Sequence, residues 1–262
     1  MPFIEAGGAA LRYELSGTGD ATLVLIHEMA SSLETWDRVV PLIDGRRVLR
    51  LDMRGFGMSE KVRGVSSLPA LSGDVLALAD ALGLGGRLAV AGSAVGGAVA
   101  LNCAILQPDR VAGVVAISPA TGIDPARREA TLQMADAVER GTMRDLVEGS
   151  MGGAYPVALR TDAQRFESFR ARWLGVDPGS FAATYRMLAA LDLDESLGRI
   201  ACPVVLVAGT LDGFRPPAFA HGLAAKIRGA QVREIESGHF AAYQTPELVA
   251  QILNQFLREL GD

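Results

Sequence analysis

The stretch "LAVAGSAVGGAVAL" occupies residues 88–101. Apolar residues run into a turn of glycine, serine and alanine, and a second, alanine-rich apolar run follows. This predicts a buried strand, a tight turn and a buried helix. Working outward, the same theme recurs. "ATLVLIH" (21–27), "RRVLRLDMRG" (46–55), "VAGVVAISPA" (111–120), "CPVVLVAGT" (202–210) and "AQVREIES" (230–237) are β-branched runs that end in loops, as central strands do. Helical spacing appears over 68–82, over 96–107 with Pro108 closing it, and over 245–260 with Thr245 as its N-cap. The N-terminal "MPFIEAGGAALRYELSG" alternates like a hairpin. Strands alternating with helices imply an α/β fold: a mostly parallel sheet with helices on both faces.

One region breaks the alternation. Between 121 and 200 no good strand is found, and helical patterns follow one another over 125–139, 143–151, 162–174 and 180–191. The segment is neither Pro/Ser-rich nor of low complexity, so it reads as an inserted helical cap rather than a linker. Ligands bind beyond the carboxyl ends of the strands in open α/β sheets, and a cap there serves as a lid. The expected division is a core of 1–120 and 201–262 and a cap of 121–200.

The bulk numbers exclude several classes. The 262 residues are 49% apolar and 21% charged, which suits a soluble globular chain with a sizeable core. A net charge of -5 without basic patches argues against nucleic acid as a partner. Cys103 and Cys202 lie in apolar contexts and read as buried thiols. The three histidines, His27, His221 and His239, make no metal-type cluster with them. A secretory signal is not expected, because no basic stretch precedes an apolar core at the start. No apolar run is long enough for a membrane span. The expectation is a cytoplasmic protein without cofactors.

The turn at 92–96 follows the outline of G-x-S-x-G, the sharp strand-to-helix elbow that lifts a nucleophilic serine above a sheet. It reads Gly92-Ser93-Ala94-Val95-Gly96, with alanine at the nucleophile position and a serine one residue early. A phosphate-binding turn would need G-x-G-x-x-G or a lysine-bearing loop, and neither is present. Asp212 follows the fifth of these strands and His239 the sixth. Each alone would be an ordinary turn aspartate or structural histidine. Together with the elbow they give nucleophile turn, acid and base in the chain order of an α/β serine hydrolase, separated by 118 and 27 residues. The loop "IHEMASSLETW" (26–36) leaves the first central strand. There the N–H of Met29, with that of Val95, would form an oxyanion hole. Trp36 reads as core.

With "LVLIHEM", "LDMRGFGMSE", "AGSAVGG", "LVAGTLDG" and "SGHF" in hand, the chain resembles the α/β-hydrolase family over essentially its whole length. Within it, "SLETWDRVVPLI" and "FAATYRMLAALDLDESLGRIACPVVLVAG" are most similar to the 3-oxoadipate enol-lactonase group. The resemblance implies hydrolysis of a small-molecule ester or lactone by Ser-His-Asp acyl transfer, with no cofactor, no nucleic acid and no membrane as partner. Carbon–carbon bond hydrolases and general carboxylesterases share this layout, and a non-catalytic small-molecule binder on the same scaffold is the alternative from another class. Two positions depart from the family pattern. Glu28 stands where glycine is usual, and either bonds backbone away from the pocket, the favoured reading, or faces substrate. Ala94 stands where serine is usual. Since Asp212, His239, the glycines and the oxyanion loop are all kept, Ala94 reads as the replacement of a native serine that leaves the chain inactive. Trp173 is a candidate substrate contact. The other cap aromatics, Tyr155, Phe166, Phe169, Phe181 and Tyr185, read as packing. Arg172, Arg186 and Arg215 are candidate partners for a substrate carboxylate.

Overall fold

A computed structural model describes residues 2–261. In chain order it holds β1 (Phe3–Ala6), β2 (Ala9–Ser16), β3 (Thr22–Ile26), β4 (Arg47–Leu51), α1 (Leu68–Ala81), β5 (Leu88–Ser93), α2 (Val95–Leu106) and β6 (Val111–Ile117). Four helices follow: α3 (Arg128–Arg140), α4 (Met143–Ala154), α5 (Ala163–Leu174) and α6 (Pro178–Ala190). The chain continues with α7 (Asp194–Leu197), β7 (Val204–Gly209), α8 (Pro217–Ala224), β8 (Gln231–Ile235), α9 (Ala241–Gln244) and α10 (Pro246–Leu260).

The strands form one sheet in the order β1-β2-β4-β3-β5-β6-β7-β8. β1 and β2 make an antiparallel hairpin, β2 pairs antiparallel with β4, and every pair from β4 to β8 is parallel. The apolar runs are buried on both faces because their residues serve two cores in strict alternation. Val24, Ile26, Val90, Val114, Ala116 and Leu206 face α1, α2 and α8. Leu23, Leu25, Ala91, Val115, Ile117, Val205 and Val207 face Trp36 and α10. The helix α10 meets them with Val249, Ala250, Leu253, Phe256 and Leu257, a stripe at helical spacing. Trp36 is fully buried there, as its surroundings in the sequence imply.

The region without strands is an insertion between β6 and β7, and its four longer helices, α3 to α6, fall on the four helical patterns. Its two ends are tied by an isolated bridge between Gly122 and Asp192 and by the N–H of Leu193 donating to Thr121 O. Three short helices, α7, α8 and α9, have too few turns to show a period. Thr245 does stand at the start of α10, but its hydroxyl does not cap the helix. It donates to Ser237 Oγ at 2.8 Å, which ties α10 to the loop after β8 instead.

Among the described residues, three non-glycine residues have left-handed φ: Ala30 (65°), Ala94 (48°) and Ser118 (44°). All three sit just beyond the carboxyl ends of neighbouring strands, β3, β5 and β6. Backbone strain of this kind gathers where a fold holds a site in shape.

Candidate active site

The elbow is made by close approach of backbone. At Gly92 a Cβ would stand 2.1 Å from Gly96 O, and at Gly96 a Cβ would stand 2.4 Å from both Ile26 O and His27 O. Only hydrogen fits at either position, so α2 can start directly against β3 and β5. Ala94 is the hinge between them, at φ 48° and ψ -110°. Its N–H donates to Ile117 O at 2.9 Å, and its carbonyl accepts from Ala98 and Ala120 at 3.1 and 2.9 Å. Its methyl group lines a cavity of about 260 Å³.

His239 lines the same cavity, on the loop after β8. It is clamped edge-on by Phe214 and Phe240, with ring centroids 5.2 and 4.8 Å away. Its Nδ1 lies 2.8 Å from Asp212 Oδ2. Asp212 is buried, and its Oδ1 accepts the backbone N–H groups of Phe214 and Arg215 at 2.8 and 2.9 Å. Burial alone would raise its pKa. The hydrogen bond and charge of His239, with the two backbone donors, outweigh burial and hold the carboxyl below the usual range. Asp212 is thus an ionised acceptor that fixes the imidazole through Nδ1 and leaves Nε2 for other chemistry.

Met29 and Val95 also line the cavity. Val95 opens α2, so its N–H belongs to the unpaired first turn of a helix. Ser93, the neighbouring serine, does not line the cavity: it is fully buried, and its Oγ has no partner. His27 is structural, with Nδ1 2.6 Å from Glu28 O and Nε2 accepting the N–H of Met53 at 2.9 Å.

Glu28 is not a wall of the cavity, which corrects its place among the candidate substrate contacts. It is fully buried, and its Oε1 accepts the hydroxyl of Thr35 at 2.7 Å. It does point away, as the favoured reading held, but its partner is that hydroxyl rather than backbone. Trp173 does line the cavity, and so does Tyr185, which sequence reasoning left to packing. Of the three candidate arginines only Arg215 reaches it. Arg186 is held outside by Asp136 and Glu139, both at 2.6 Å. Arg172 stands over the ring of Tyr243.

Sequence reasoning missed Arg127, Thr131, Met134, Leu188 and Asp124, which also line the cavity. All but Leu188 follow closely on β6, at the same edge as Asp212 and His239, and this position in the topology was the available signal. Arg215 donates to Gly122 O at 2.7 Å and stacks on Phe219. Burial lowers its pKa; the charge of Asp212 opposes this, and that of Arg127 adds to it. Neither Arg127 nor Arg215 has a carboxylate in salt-bridge range among the described residues. The cavity is therefore lined by two guanidinium groups, Arg127 and Arg215, together with the Asp124 carboxylate and His239.

The chain is similar to known proteins over most of its length. Residues 17–237 match a family model described as serine aminopeptidase, S33. A dihydrolipoyllysine-residue acetyltransferase component of the acetoin cleaving system from Pseudomonas putida is 32% identical over 97% of this chain. This chain spans about two thirds of that relative's length, 68%. The 3-oxoadipate enol-lactonase 1 of Acinetobacter baylyi is 25% identical, with 97% of this chain and 95% of the relative covered. A thermophilic esterase from Thermogutta terrifontis has the same fold at a TM-score of 0.90 and 28% identity, over 97% of this chain and 95% of that one. By sequence and by architecture alike, the chain belongs to the α/β-hydrolase family.

Proposed function

We propose that the site is that of a hydrolase opening a carboxylic ester or lactone by Ser-His-Asp acyl transfer, and that with Ala94 the chain is inactive. One observation carries the reading. His239, paired with Asp212, lines a single small-molecule cavity together with the elbow residue Ala94 and with Met29 and Val95. Those parts fit acyl transfer, and a serine oxygen at position 94 is what the reading adds to them.

In an Ala94→Ser form the steps follow from the geometry. His239 Nε2 takes the serine proton while Asp212 steadies the imidazolium. The serine oxygen attacks the carbonyl, and the developing oxyanion rests on the N–H groups of Met29 and Val95. The ester C–O bond breaks, and His239 returns its proton to the departing oxygen. Water then attacks the acyl-enzyme with His239 again as base, which frees the acid. The route uses no metal and no organic cofactor. Arg127 and Arg215 give the cavity a preference for a substrate with its own carboxylate, as an enol-lactone acid has. Residues 121–200 act as a cap that supplies Arg127, Trp173 and Tyr185 and limits water.

The test compares the Ala94 chain with Ala94→Ser on a short aryl ester and on 3-oxoadipate enol-lactone. The serine form is expected to turn over at least one of them, about 10⁶-fold above the alanine form. A carbon–carbon ring-cleavage substrate preferred over both would move the reading to that branch. No turnover by either form, with tight binding of a small ligand by the alanine form, would replace the hydrolase reading with a binding protein.

A further inference from the structure

A second cavity, of about 280 Å³, shares no lining residue with the first. It lies between α5, α9 and the loop after β3. Three carboxylates line it, Glu34, Asp37 and Asp162, and so do three guanidinium groups, Arg38, Arg165 and Arg172. The carboxylates are all engaged. Glu34 accepts from Arg12 at 2.6 Å and Asp37 from Arg50 at 2.5 Å. Asp162 caps α5 through the N–H of Arg165 at 2.9 Å and pairs with Arg38 at 3.7 Å.

Arg165 and Arg172 are left over. Neither has a carboxylate in salt-bridge range among the described residues. Both guanidinium groups stand over the same ring, Tyr243, at 5.4 and 5.3 Å. Arg165 is anchored there by donating to Tyr243 O, while Tyr243 Oη donates back to Arg165 O at 3.0 Å. Yet Arg165 Nε and Arg172 Nη1 are both buried without a partner. An orphaned donor on a cation is costly, and two on neighbouring side chains of one helix face require an explanation. The two residues are seven apart on α5 and so project from one face of it, with the exposed Ser168 between them.

We infer that this cavity is a binding site for a small oxyanion, a phosphate or carboxylate group held between Arg165 and Arg172. Two guanidinium groups that line one cavity from one helix face, with no carboxylate in salt-bridge range among the described residues, are donors of the kind that recognises planar or tetrahedral oxyanions. The site is separate from the proposed catalytic cavity but not remote from it. Trp173, next to Arg172 in the chain, lines the first cavity, and α9 starts two residues after His239. An occupied site would therefore brace both the cap helix α5 and the loop that carries His239.

The experiment measures thermal unfolding and hydrogen exchange of the whole protein in inorganic phosphate and in malonate, against potassium chloride of matched ionic strength. A rise in Tm of about 3–6 °C is expected at about ten times the dissociation constant, growing with the logarithm of anion concentration beyond it. Slowed exchange should be confined to 165–172 and 241–244. A response to phosphate alone identifies a phosphoryl ligand, and one to malonate alone a carboxylate. R165Q and R172Q should each abolish the response, and R215Q should keep it. No stabilisation beyond chloride in the unsubstituted protein overturns the inference without recourse to any variant. So does a response that R215Q removes and R165Q keeps, since it would belong to the first cavity.

Discussion

Replacing Gly96 by alanine should damage the fold and the site together. The added Cβ would lie 2.4 Å from Ile26 O and His27 O and 2.8 Å from Ile26 C. All three obstacles are backbone, at the end of the central strand β3, and no rotamer change relieves them. The start of α2 must withdraw by roughly 1 Å, an overpacking cost at the upper end of the usual range, about 3 kcal/mol. For a chain of this size that lowers Tm by about 6–12 °C. Val95 is the residue before Gly96, so its N–H shifts with the helix. In the Ala94→Ser background a displacement of about 1 Å in an oxyanion donor should cost on the order of 10²-fold in kcat. Gly149 provides the opposite control. It lies in α4, and a Cβ there meets nothing within 4 Å. Gly149→Ala should stabilise by about 0.5–1 kcal/mol through helix propensity alone. Calorimetry and ester kinetics on the two variants read out both effects. If Gly96→Ala melts within about 2 °C of its parent, the close approach is not what holds α2. If it melts early but keeps kcat, the helix start does not place the oxyanion donor.

Three further outcomes follow from the same geometry. In the Ala94→Ser form, Asp212→Asn should lower kcat by about 10⁴-fold with little change in KM, because the imidazole loses the acceptor that fixes its tautomer; stopped-flow and steady-state ester assays measure this. Arg215→Gln should raise KM for a lactone carrying a carboxylate by about 10–100-fold and leave a neutral aryl ester nearly untouched; equal effects on both would remove Arg215 from substrate recognition. Glu34 supplies an acid-stability test. Burial would push its carboxyl up, but hydrogen bonds from Arg12 and Ser32 hold it down to about 2. Because the folded value is the lower one, its stabilisation is complete above the ordinary carboxylate range and drains away as pH falls toward 2. Between pH 7 and pH 3, urea unfolding should show the parent losing about 1–2 kcal/mol more than Glu34→Gln, a figure reduced for solvent screening.

Much of this molecule was legible in the sequence because the features that carry it are local. The strand runs are short, apolar and β-branched, and their alternation with helices dictates a parallel sheet. Asp212 and His239 announced themselves by standing just after such runs, since every parallel strand delivers its carboxyl end to the same edge. Other features depend on what comes together from far apart. Arg127 carries no local mark of a site, and only the return of the chain through β7 brings Arg215 to the same cavity. Glu28 could not be oriented from its neighbours, because Thr35, seven residues on, accommodates it through a loop whose path the sequence does not state. Thr245 has the right chemistry for a cap, but the loop after β8 offers Ser237, and a side-chain partner there took the hydroxyl. The short helices α7, α8 and α9 are made by tertiary packing and lack the length to show periodicity.

The elbow itself explains how an alanine can occupy position 94 without loss of the fold. An alanine at φ 48° and ψ -110° is strained by about 1–3 kcal/mol, and nothing in its methyl group repays that. What enforces the conformation is the close approach of glycine backbones on either side of it and the bonds its own N–H and carbonyl make to β6, α2 and Ala120. The side chain at 94 plays no part in any of these. Serine has the same backbone preferences as alanine here and adds one oxygen on the cavity side. The Ala94→Ser exchange should therefore leave Tm within about 2 °C of the parent, roughly the 0.5 kcal/mol spread of a change with no packing consequence. A large shift in either direction would mean that the hydroxyl meets something other than His239 and the cavity, and the acyl-transfer reading of the elbow would then lose its structural basis.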